Sequence, residues 1–261
     1  MKVVIFCGGL GLRIRDYSEK IPKPMVPIGQ YPILWHIMRY YAHHGHNEFI
    51  LCLGYKAEVI KRYFVDFHEY LTNNFVLAGA GQAPELMSRD MHNWRITFVD
   101  TGLTSNIGQR LKKVQRYLGD DEYFLANYSD TLTNAPLNSH IEQLKQGGRV
   151  GSFMCVRPHL SLHTVYLGED NTVTDIRSIA SDILVNGGYF VFRRDIFEHL
   201  KPGEELVEEP FQRLIENQLL VGQRYQGYWA TMDTFKDRQQ LEELWASDLA
   251  PWKVWDEGRE Q

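Results

Sequence analysis

Apolar and polar residues alternate along this chain in two patterns that predict different elements. Short continuous apolar runs predict buried strands, and apolar residues that recur every three or four positions predict helices with one buried face. In the first two-thirds of the chain, the predicted strands are 2–7, 48–53, 95–99 and 122–126. The predicted helices between them are 32–44, 56–68 and 107–118. Strands separated by helices predict right-handed crossovers and a mostly parallel sheet.

From residue 150 onward the pattern changes to short strands that follow one another closely. These strands are predicted at 150–156, 163–167, 173–177 and 185–192, and helices at 194–200 and 207–217. They indicate antiparallel additions to the sheet. A last helix is predicted after Thr234, because Asp237 three residues later completes a capping-box pattern. The expected fold class is α/β, with a Rossmann-like, mostly parallel mixed sheet flanked by helices.

We expect one domain over residues 1–261, since no repeat, linker or low-complexity segment divides the chain. Residues 69–93 are polar and weakly patterned, which predicts a long functional loop or an oligomer arm rather than core. Tyr70, Phe75 and Trp94 are expected to be exposed, which favours a homo-oligomer.

Composition and charge exclude several classes of function. The 28 Lys and Arg residues against 33 Asp and Glu give a net charge of −5 without a basic block, so duplex nucleic acid is not an expected partner. No apolar run reaches the roughly 18 residues of a transmembrane helix, and the start of the chain has no signal-peptide pattern. Cys7, Cys52 and Cys155 are widely spaced and predict reduced thiols in a cytoplasmic protein.

The first strand leads directly into a glycine-rich loop. Gly8, Gly9 and Gly11 would let backbone N–H groups approach phosphate oxygens closely, and Arg13 and Lys23 would add positive charge. The loop is neither a Walker loop, since no Gly-Lys-Ser/Thr follows, nor a dinucleotide fingerprint, since the third glycine is missing. The alternative is a tight strand-to-helix turn without a ligand.

Two carboxylates are candidates for a metal site. Asp130 follows the strand at 122–126, where it can reach the same crevice as the glycine loop, and Mg²⁺ is usually held by one or two carboxylates plus substrate oxygens. Asp130 could instead cap a turn formed with Thr131 and Thr133. Asp233 stands at a helix start, where an acid complements the helix dipole, and it becomes a metal candidate only if it is paired with Asp130.

Two further segments could contact a ligand. Asn186-Gly187-Gly188 combines close backbone approach with an amide that can bind a hydroxyl, although a plain turn is equally consistent. Asp100 and Thr101 precede a helix whose first turn contains Arg110, and a cation there is unfavourable unless an anion is near.

In this order, these segments resemble the sugar-1-phosphate nucleotidyltransferases, and among them the glucose-1-phosphate cytidylyltransferases. The resemblance covers residues 1 to about 255 and includes further matching motifs. These are Pro32-Ile33-Leu34-Trp35-His36-Ile37-Met38, Gly54-Tyr55-Lys56, Val99-Asp100-Thr101-Gly102, Arg110-Leu111-Lys112, Met232-Asp233-Thr234 and Ala250-Pro251-Trp252-Lys253. The resemblance implies a fold of the nucleotide-diphospho-sugar transferase type, with a nucleotide-binding half at about 1–135 and an acceptor-binding half at about 136–250.

The resemblance also implies a role for each candidate residue. The nucleotide and its triphosphate would be held by Gly8, Gly9, Gly11, Arg13, Asp100, Thr101, Gly108 and Arg110. Of these residues, Asp100, Thr101, Gly108 and Arg110 match the segment that reads the base and the triphosphate in the cytidylyl group. Lys23 would neutralise the transferred phosphate, Asp130 and Asp233 would bind Mg²⁺, and Asn186 and Gly187 would face the acceptor. The implied reaction transfers CMP from CTP to a phosphorylated acceptor, by default glucose 1-phosphate, and releases pyrophosphate. Members of the family generally form oligomers.

The sequence departs from the family pattern in the acceptor half. Family members carry a Glu-Lys-Pro element whose Lys holds the sugar phosphate, and Ser178-Ile179-Ala180 stands there instead. Arg157, Arg177 or His159 could replace that Lys. In the nucleotide half, Leu12 stands where Thr is usual and Ile21 where a Lys is common. Two alternatives therefore stay open: a different phosphate or phosphonate acceptor, and a nucleotide-binding regulatory protein without catalysis.

Overall fold

A computed structural model describes residues 1–9, 21–89, 91–158, 162–179 and 183–256. Its strands are β1 (Lys2–Phe6), β2 (Pro27–Ile28), β3 (Tyr31–Pro32), β4 (Glu48–Leu53), β5 (Phe75–Val76), β6 (Glu85–Leu86), β7 (Arg95–Asp100), β8 (Tyr123–Tyr128), β9 (Thr131–Thr133), β10 (Gly151–Val156), β11 (His163–Leu167), β12 (Val173–Ser178), β13 (Val185–Asn186), β14 (Phe190–Arg193), β15 (Leu220–Arg224) and β16 (Trp229–Thr231). Its α-helices are α1 (Ile33–His43), α2 (Ala57–Val65), α3 (Ile107–Val114), α4 (Leu137–Gly147), α5 (Glu209–Glu216) and α6 (Phe235–Ala246). Among these described helices, none combines the length and apolarity needed to cross a membrane.

A mixed sheet with a parallel centre organises the described part of the chain. Its strands follow the order β13–β10–β14–β8–β1–β4–β7, and β15 also pairs with β10. The neighbours β8, β1, β4 and β7 are all parallel, whereas β14 is antiparallel to β8 and to β10. The predicted α/β class, with a mostly parallel sheet and antiparallel additions in the C-terminal half, is confirmed. The carboxyl ends of β1, β4, β7 and β8 consequently lie along one edge of the sheet.

Alternate residues of the central strand bury against opposite layers. Val3 and Ile5 pack into a core with α1 and the 250–255 segment, while Val4 and Phe6 pack into a second core with α3 and α5. Because both faces of this parallel sheet are covered by helices, the strand is apolar at every position from Val3 to Phe6. The rigid double-sided core fixes where the loop after β1 begins.

Several elements differ from the sequence predictions, among them β15 (Leu220–Arg224), which was not predicted. The strand expected at 185–192 is interrupted, because Gly188 (φ +78°) and Tyr189 (φ +51°) take left-handed conformations between β13 and β14. Helix α4 was not predicted, although its buried Leu137, Ile141 and Leu144 have helical spacing. Strands β9 and β16 were also not predicted, since three-residue strands show no measurable periodicity.

The 69–93 segment lies outside the core, as predicted. It forms a short 3₁₀ turn at Glu69–Leu71 and the small hairpin β5–β6, and Tyr70 and Phe75 are exposed. The prediction that Trp94 is exposed is wrong. Its ring is partly buried and lies 5.3 Å from that of Phe49, because the residue directly before β7 packs against the neighbouring strand β4.

Candidate functional site

A lysine and two aspartates from distant parts of the sequence meet at the carboxyl edge of the sheet. Lys23 Nζ lies 2.6 Å from Asp130 Oδ2 and 2.8 Å from Asp233 Oδ1. The three side chains are 13%, 24% and 30% exposed, so the cluster is partly shielded but open on one side. The structure therefore brings together the two carboxylates that the sequence analysis could only pair by hypothesis.

The β9–β16 ribbon brings the two aspartates together. Asp130 directly precedes β9, Asp233 follows β16 by two residues, and the strands pair with Thr131 opposite Thr231. Met232 N donates a hydrogen bond to Asp130 O at 2.9 Å. The interpretation of Thr131 and Thr133 as turn residues is wrong, because both belong to β9 and face Thr231 and Trp229.

The start of helix α6 fixes the backbone of Asp233. Asp237 Oδ2 accepts hydrogen bonds from Asp233 N at 3.0 Å and from Thr234 N at 2.7 Å. Thr234 Oγ1 in turn accepts from Asp237 N, so the predicted capping box is confirmed. This cap holds the Asp233 side chain toward Lys23 while leaving its carboxylate outside the helix.

The electrostatics of the cluster favour a cation between the carboxylates. Burial alone lowers the pKa of Lys23, but the charge of Asp130 and the hydrogen bonds to both carboxylates outweigh it and raise that pKa above its ordinary value. Two carboxylate oxygens converging on one point also match the protein ligands that Mg²⁺ uses when phosphate oxygens supply the rest. No cluster of three or more His, Cys, Asp or Glu suited to a metal occurs in the described ranges.

Arg110 lies buried beneath the glycine loop, with 3% of its surface exposed. Its Nη2 donates to Gly8 O at 3.0 Å, and its Nη1 donates to Leu53 O at 3.1 Å and to Thr101 Oγ1 at 2.6 Å. A longer bond of 3.4 Å runs from Nη2 to Leu103 O. Arg110 thus joins the ends of β1, β4 and β7, and burial lowers the pKa of its guanidinium.

A cavity of about 250 Å³ opens between the glycine loop and the ion cluster. Its lining residues come from both halves of the chain and are Phe6, Gly8, Gly9, Lys23, Pro24, Ser105, Asn106, Ile107, Arg110, Tyr128, Ser129, Asp130 and Glu205. Tyr128 and Glu205 were not predicted as site residues. Glu205 carried no signal, because it sits in a polar stretch far from every recognised motif.

The predicted nucleotide residues take different positions. Thr101 is fully buried and bonded to Arg110, and exposed Asp100 accepts a hydrogen bond from Gly102 N at 3.0 Å. Gly108 is packed so closely that a Cβ there would meet Glu204 O, which makes it a contact between α3 and the 201–208 loop. Gly11 and Arg13, together with Leu12, lie outside the described residues.

The predicted acceptor residues lie beside Tyr128. Asn186 Nδ2 donates to Tyr128 Oη at 3.2 Å, and Asn186 Oδ1 accepts from Gly188 N at 2.9 Å. Gly187 is buried, and its backbone bonds to Met154 O and Trp229 Nε1. Asn186 is thus close to the cavity, whereas the backbone groups of Gly187 are engaged within the protein.

The suggested replacements for the missing lysine are less well placed. Arg177 is exposed, pairs with Asp175 and stacks over the Tyr166 ring at 5.5 Å on the β11–β12 hairpin. Arg157 is also exposed, and His159 lies outside the described part of the chain. A separate cavity of about 550 Å³ begins at Asp233 and is lined by Trp229, Thr231 and one side of α6.

Comparison with known proteins places this site in a family. The sequence model of the family described as nucleotidyl transferase matches residues 2–237. A protein of Bacillus subtilis named probable glucose-1-phosphate cytidylyltransferase is 35% identical over 257 residues, covering 98% of this chain and 100% of its own. The glucose-1-phosphate cytidylyltransferase of Salmonella typhimurium is 34% identical over 259 residues, with the same coverage of both chains.

Comparison with solved structures agrees with the sequence comparison. A solved structure of UDP-glucose pyrophosphorylase with UDP-glucose superposes with a TM-score of 0.69 at 14% identity, covering 95% of this chain and 98% of that one. The chain belongs to the nucleotidyl transferase family and has the nucleotide-diphospho-sugar transferase fold. The resemblance to glucose-1-phosphate cytidylyltransferases is also confirmed, at 34–35% identity over nearly the full chain.

Proposed function

We propose that this protein transfers CMP from CTP to a phosphorylated acceptor, by default glucose 1-phosphate, giving CDP-glucose and pyrophosphate. The observation that carries the proposal is the Lys23–Asp130–Asp233 cluster, of which Lys23 and Asp130 line a cavity together with Gly8 and Gly9 of the glycine loop. The cytidylyl specificity rests on the two relatives of matching length named above.

This reaction requires the protein to position the substrates and to neutralise their charge, rather than to form a covalent intermediate with them. A phosphate oxygen of the acceptor attacks the α-phosphorus of CTP, a new P–O bond forms, and the bond to the β-phosphate breaks as pyrophosphate leaves. Both reactants are anions, so the ammonium of Lys23 offsets their repulsion and stabilises charge that develops on the phosphoryl oxygens. The Gly8 carbonyl, fixed by Arg110, orients the loop on which the triphosphate would rest.

We propose Mg²⁺ as the cofactor, with Asp130 and Asp233 as the residues that would hold it. When bound, the ion would neutralise phosphate oxygens and promote departure of pyrophosphate. The fit rests on the convergence of both carboxylates on one point, which Lys23 Nζ takes in this structure.

The acceptor is the part of the proposal with the least support from the chain itself. Ile179 stands where the resemblance expects a phosphate-binding Lys, and Arg177 is already paired with Asp175. The same chemistry on another sugar phosphate, or on a non-sugar phosphate or phosphonate, is therefore the alternative. The cavity that begins at Asp233 is where we would place either acceptor.

Pyrophosphate release from CTP and Mg²⁺, measured with a panel of phosphorylated acceptors, tests this function. We expect release with glucose 1-phosphate and none without acceptor. Turnover only with other acceptors would reject glucose 1-phosphate but retain cytidylyl transfer. CTP binding without turnover on any acceptor would favour a regulatory nucleotide-binding protein and contradict the proposal.

We also propose that the protein acts in the cytoplasm as a homo-oligomer that uses the 69–93 segment. Leu71 and Met87 in this segment are 70% and 73% exposed. Leu71→Glu and Met87→Glu should lower the mass measured by light scattering toward 30.5 kDa. Leu249→Glu is the matched control, since Leu249 is 68% exposed elsewhere. A wild-type mass of 30.5 kDa would contradict the oligomer.

A further inference from the structure

Glu205 is a carboxylate in the wall of a cavity that we expect to bind a polyanion. It lies on the 201–208 loop, which packs against the start of helix α3. Its Oε2 accepts a hydrogen bond from Ile107 N at 3.2 Å, and its Oε1 accepts from Leu206 N at 2.9 Å. The side chain is therefore fixed in place by the backbone on both of its oxygens.

Stabilising the helix start does not use up the hydrogen-bonding capacity of Glu205. The positive end of α3 favours a carboxylate there, which alone would explain its bond to Ile107 N. Each carboxylate oxygen can accept two hydrogen bonds, however, and each has one such partner from the backbone. Acceptor positions thus remain on a side chain that lines the cavity.

Glu205 places a carboxylate in the wall of the cavity that Tyr128 also lines. A phosphate beside Glu205 would be repelled, so this wall suits an uncharged part of the nucleotide that donates hydrogen bonds.

Lys23 lies on a different wall of the cavity from Glu205, whereas Arg110, which also lines the cavity, lies on α3 and donates hydrogen bonds to Gly8 O, Leu53 O and Thr101 Oγ1. Lys23 belongs to the turn at Lys23–Met25 and bonds to the β9–β16 ribbon, whereas Glu205 lies against Asn106 and Ile107 at the start of α3. Phosphates at Lys23 would direct the nucleoside toward the α3 wall. There the 4-amino group of cytosine offers N–H donors, while uracil presents a carbonyl oxygen at the same position.

Building on the proposed cytidylyl transfer, we propose that Glu205 is a specificity-determining residue that accepts a hydrogen bond from the exocyclic amino group of the base. A carboxylate fixed by two backbone N–H groups cannot turn away from an oxo group without losing those bonds. It therefore favours a pyrimidine with an amino group and disfavours one with an oxo group in the same place. A ligand that lacks the N–H donor would leave the carboxylate without its hydrogen-bond partner, which weakens binding.

Steady-state kinetics with CTP and UTP test this assignment in the wild type and in Glu205→Gln, whose amide can donate to an oxo group. We expect the ratio of kcat/KM for CTP to that for UTP to fall at least about tenfold in the variant. Glu204→Gln is the matched control, because Glu204 pairs with Arg213 and lies outside the cavity lining. Its ratio should equal that of the wild type.

A ligand analogue tests the same contact without requiring that the variant be well folded. The 2-pyrimidinone ribonucleoside triphosphate lacks the 4-amino group and should bind the wild-type protein at least about tenfold more weakly than CTP. In Glu205→Gln, the difference between the two nucleotides should shrink. Equal binding of both nucleotides by the wild type would overturn the assignment.

Two other outcomes would also overturn it. An equal fall in kcat/KM for CTP and UTP in Glu205→Gln would show a structural role at α3. A fall in kcat/KM for CTP but not for 2′-deoxy-CTP would show that Glu205 contacts the ribose. Failure of the proposed function is distinguishable, since the wild type would then turn over no CTP. Turnover of CTP that is insensitive to Glu205 rejects only this inference.

Discussion

Lys23 is the residue on which the site depends, because its ammonium holds two carboxylates that would otherwise repel each other. A divalent cation must compete with Nζ for the same oxygens, which lie 2.6 and 2.8 Å from it. Lys23→Met should therefore bind Mn²⁺, used as a probe without nucleotide, at least about tenfold more tightly, a change of about 1.4 kcal/mol. Turnover should fall at least about 100-fold, since a charge at the phosphates is lost.

The chain provides a matched control for this variant. Lys253 also pairs with two carboxylates, Asp248 at 2.6 Å and Asp256 at 2.9 Å, but lies outside the cavity lining. Lys253→Met should leave Mn²⁺ affinity and turnover unchanged. Unchanged or weaker Mn²⁺ binding in Lys23→Met, measured by electron paramagnetic resonance, would show that lysine and metal do not share a position.

At the scale of elements, two glycines of the loop after β1 serve different purposes. Gly8 is packed against the protein, whereas the backbone at Gly9 has open space beside it. A Cβ at Gly8 would overlap the Arg110 guanidinium, whereas a Cβ at Gly9 would meet nothing within 4 Å. Gly8→Ala should therefore lower the free energy of unfolding by about 1–3 kcal/mol. Gly9→Ala should leave it within about 0.5 kcal/mol of wild type, yet raise KM for CTP about tenfold, because the backbone approaches the phosphates there.

Denaturant unfolding and steady-state kinetics on the same two variants check this expectation. A Gly9→Ala protein with normal stability and normal KM would mean that the loop is a tight turn without a ligand. A stable Gly8→Ala protein would mean that Arg110 can move without cost.

The elements that carry the site differ in how far the sequence could predict them. Strand β4 (Glu48–Leu53) was predicted to the residue, since the five apolar residues in a row from Phe49 to Leu53 leave little choice. The β9–β16 ribbon, which brings the backbones of Asp130 and Asp233 together, was not predicted. Its strands have three residues each and are separated by 95 residues or more, so their pairing depends on the whole fold.

At the scale of the molecule, two buried histidines make stability depend on pH. Burial lowers the pKa of His36 and of His140 to about 4 from an ordinary 6.5. Between those values the unfolded chain binds protons that the folded chain excludes, so stability is lost as pH falls. Each of these two histidines should lower the free energy of unfolding by about 2 kcal/mol between pH 7 and pH 5.

Denaturant titrations at the two pH values measure this loss. His140→Gln should remove the contribution of His140, about 2 kcal/mol of this loss, while its amide can still reach Ser152 Oγ, which lies 2.7 Å from His140 Nε2. An identical pH dependence in the wild type and His140→Gln would show that His140 does not carry the effect.

The resemblance found in the sequence covered the whole molecule, and the comparisons confirm it, but the resemblance could not supply the local chemistry of this chain. Asp130, Asp233 and Lys23 were predicted from short motifs and do meet in space. Arg110 was predicted beside a ligand, but its Nη1 and Nη2 donate hydrogen bonds to Leu53 O, Thr101 Oγ1, Gly8 O and Leu103 O, a result that only packing could reveal. Glu205 escaped prediction because a glutamate in a polar loop has no pattern of its own.

The most direct test of the account is pyrophosphate release by Asp130→Asn with CTP, Mg²⁺ and the preferred acceptor. We predict a fall of at least about 100-fold with an unchanged circular dichroism spectrum, because Asp233 still holds Lys23 while one of the two carboxylates proposed to hold the metal is lost. Asp121→Asn, which alters a carboxylate paired with Lys2 outside the cavity lining, should keep full activity. Near-normal pyrophosphate release by Asp130→Asn would contradict the assignment of this cluster as the catalytic centre.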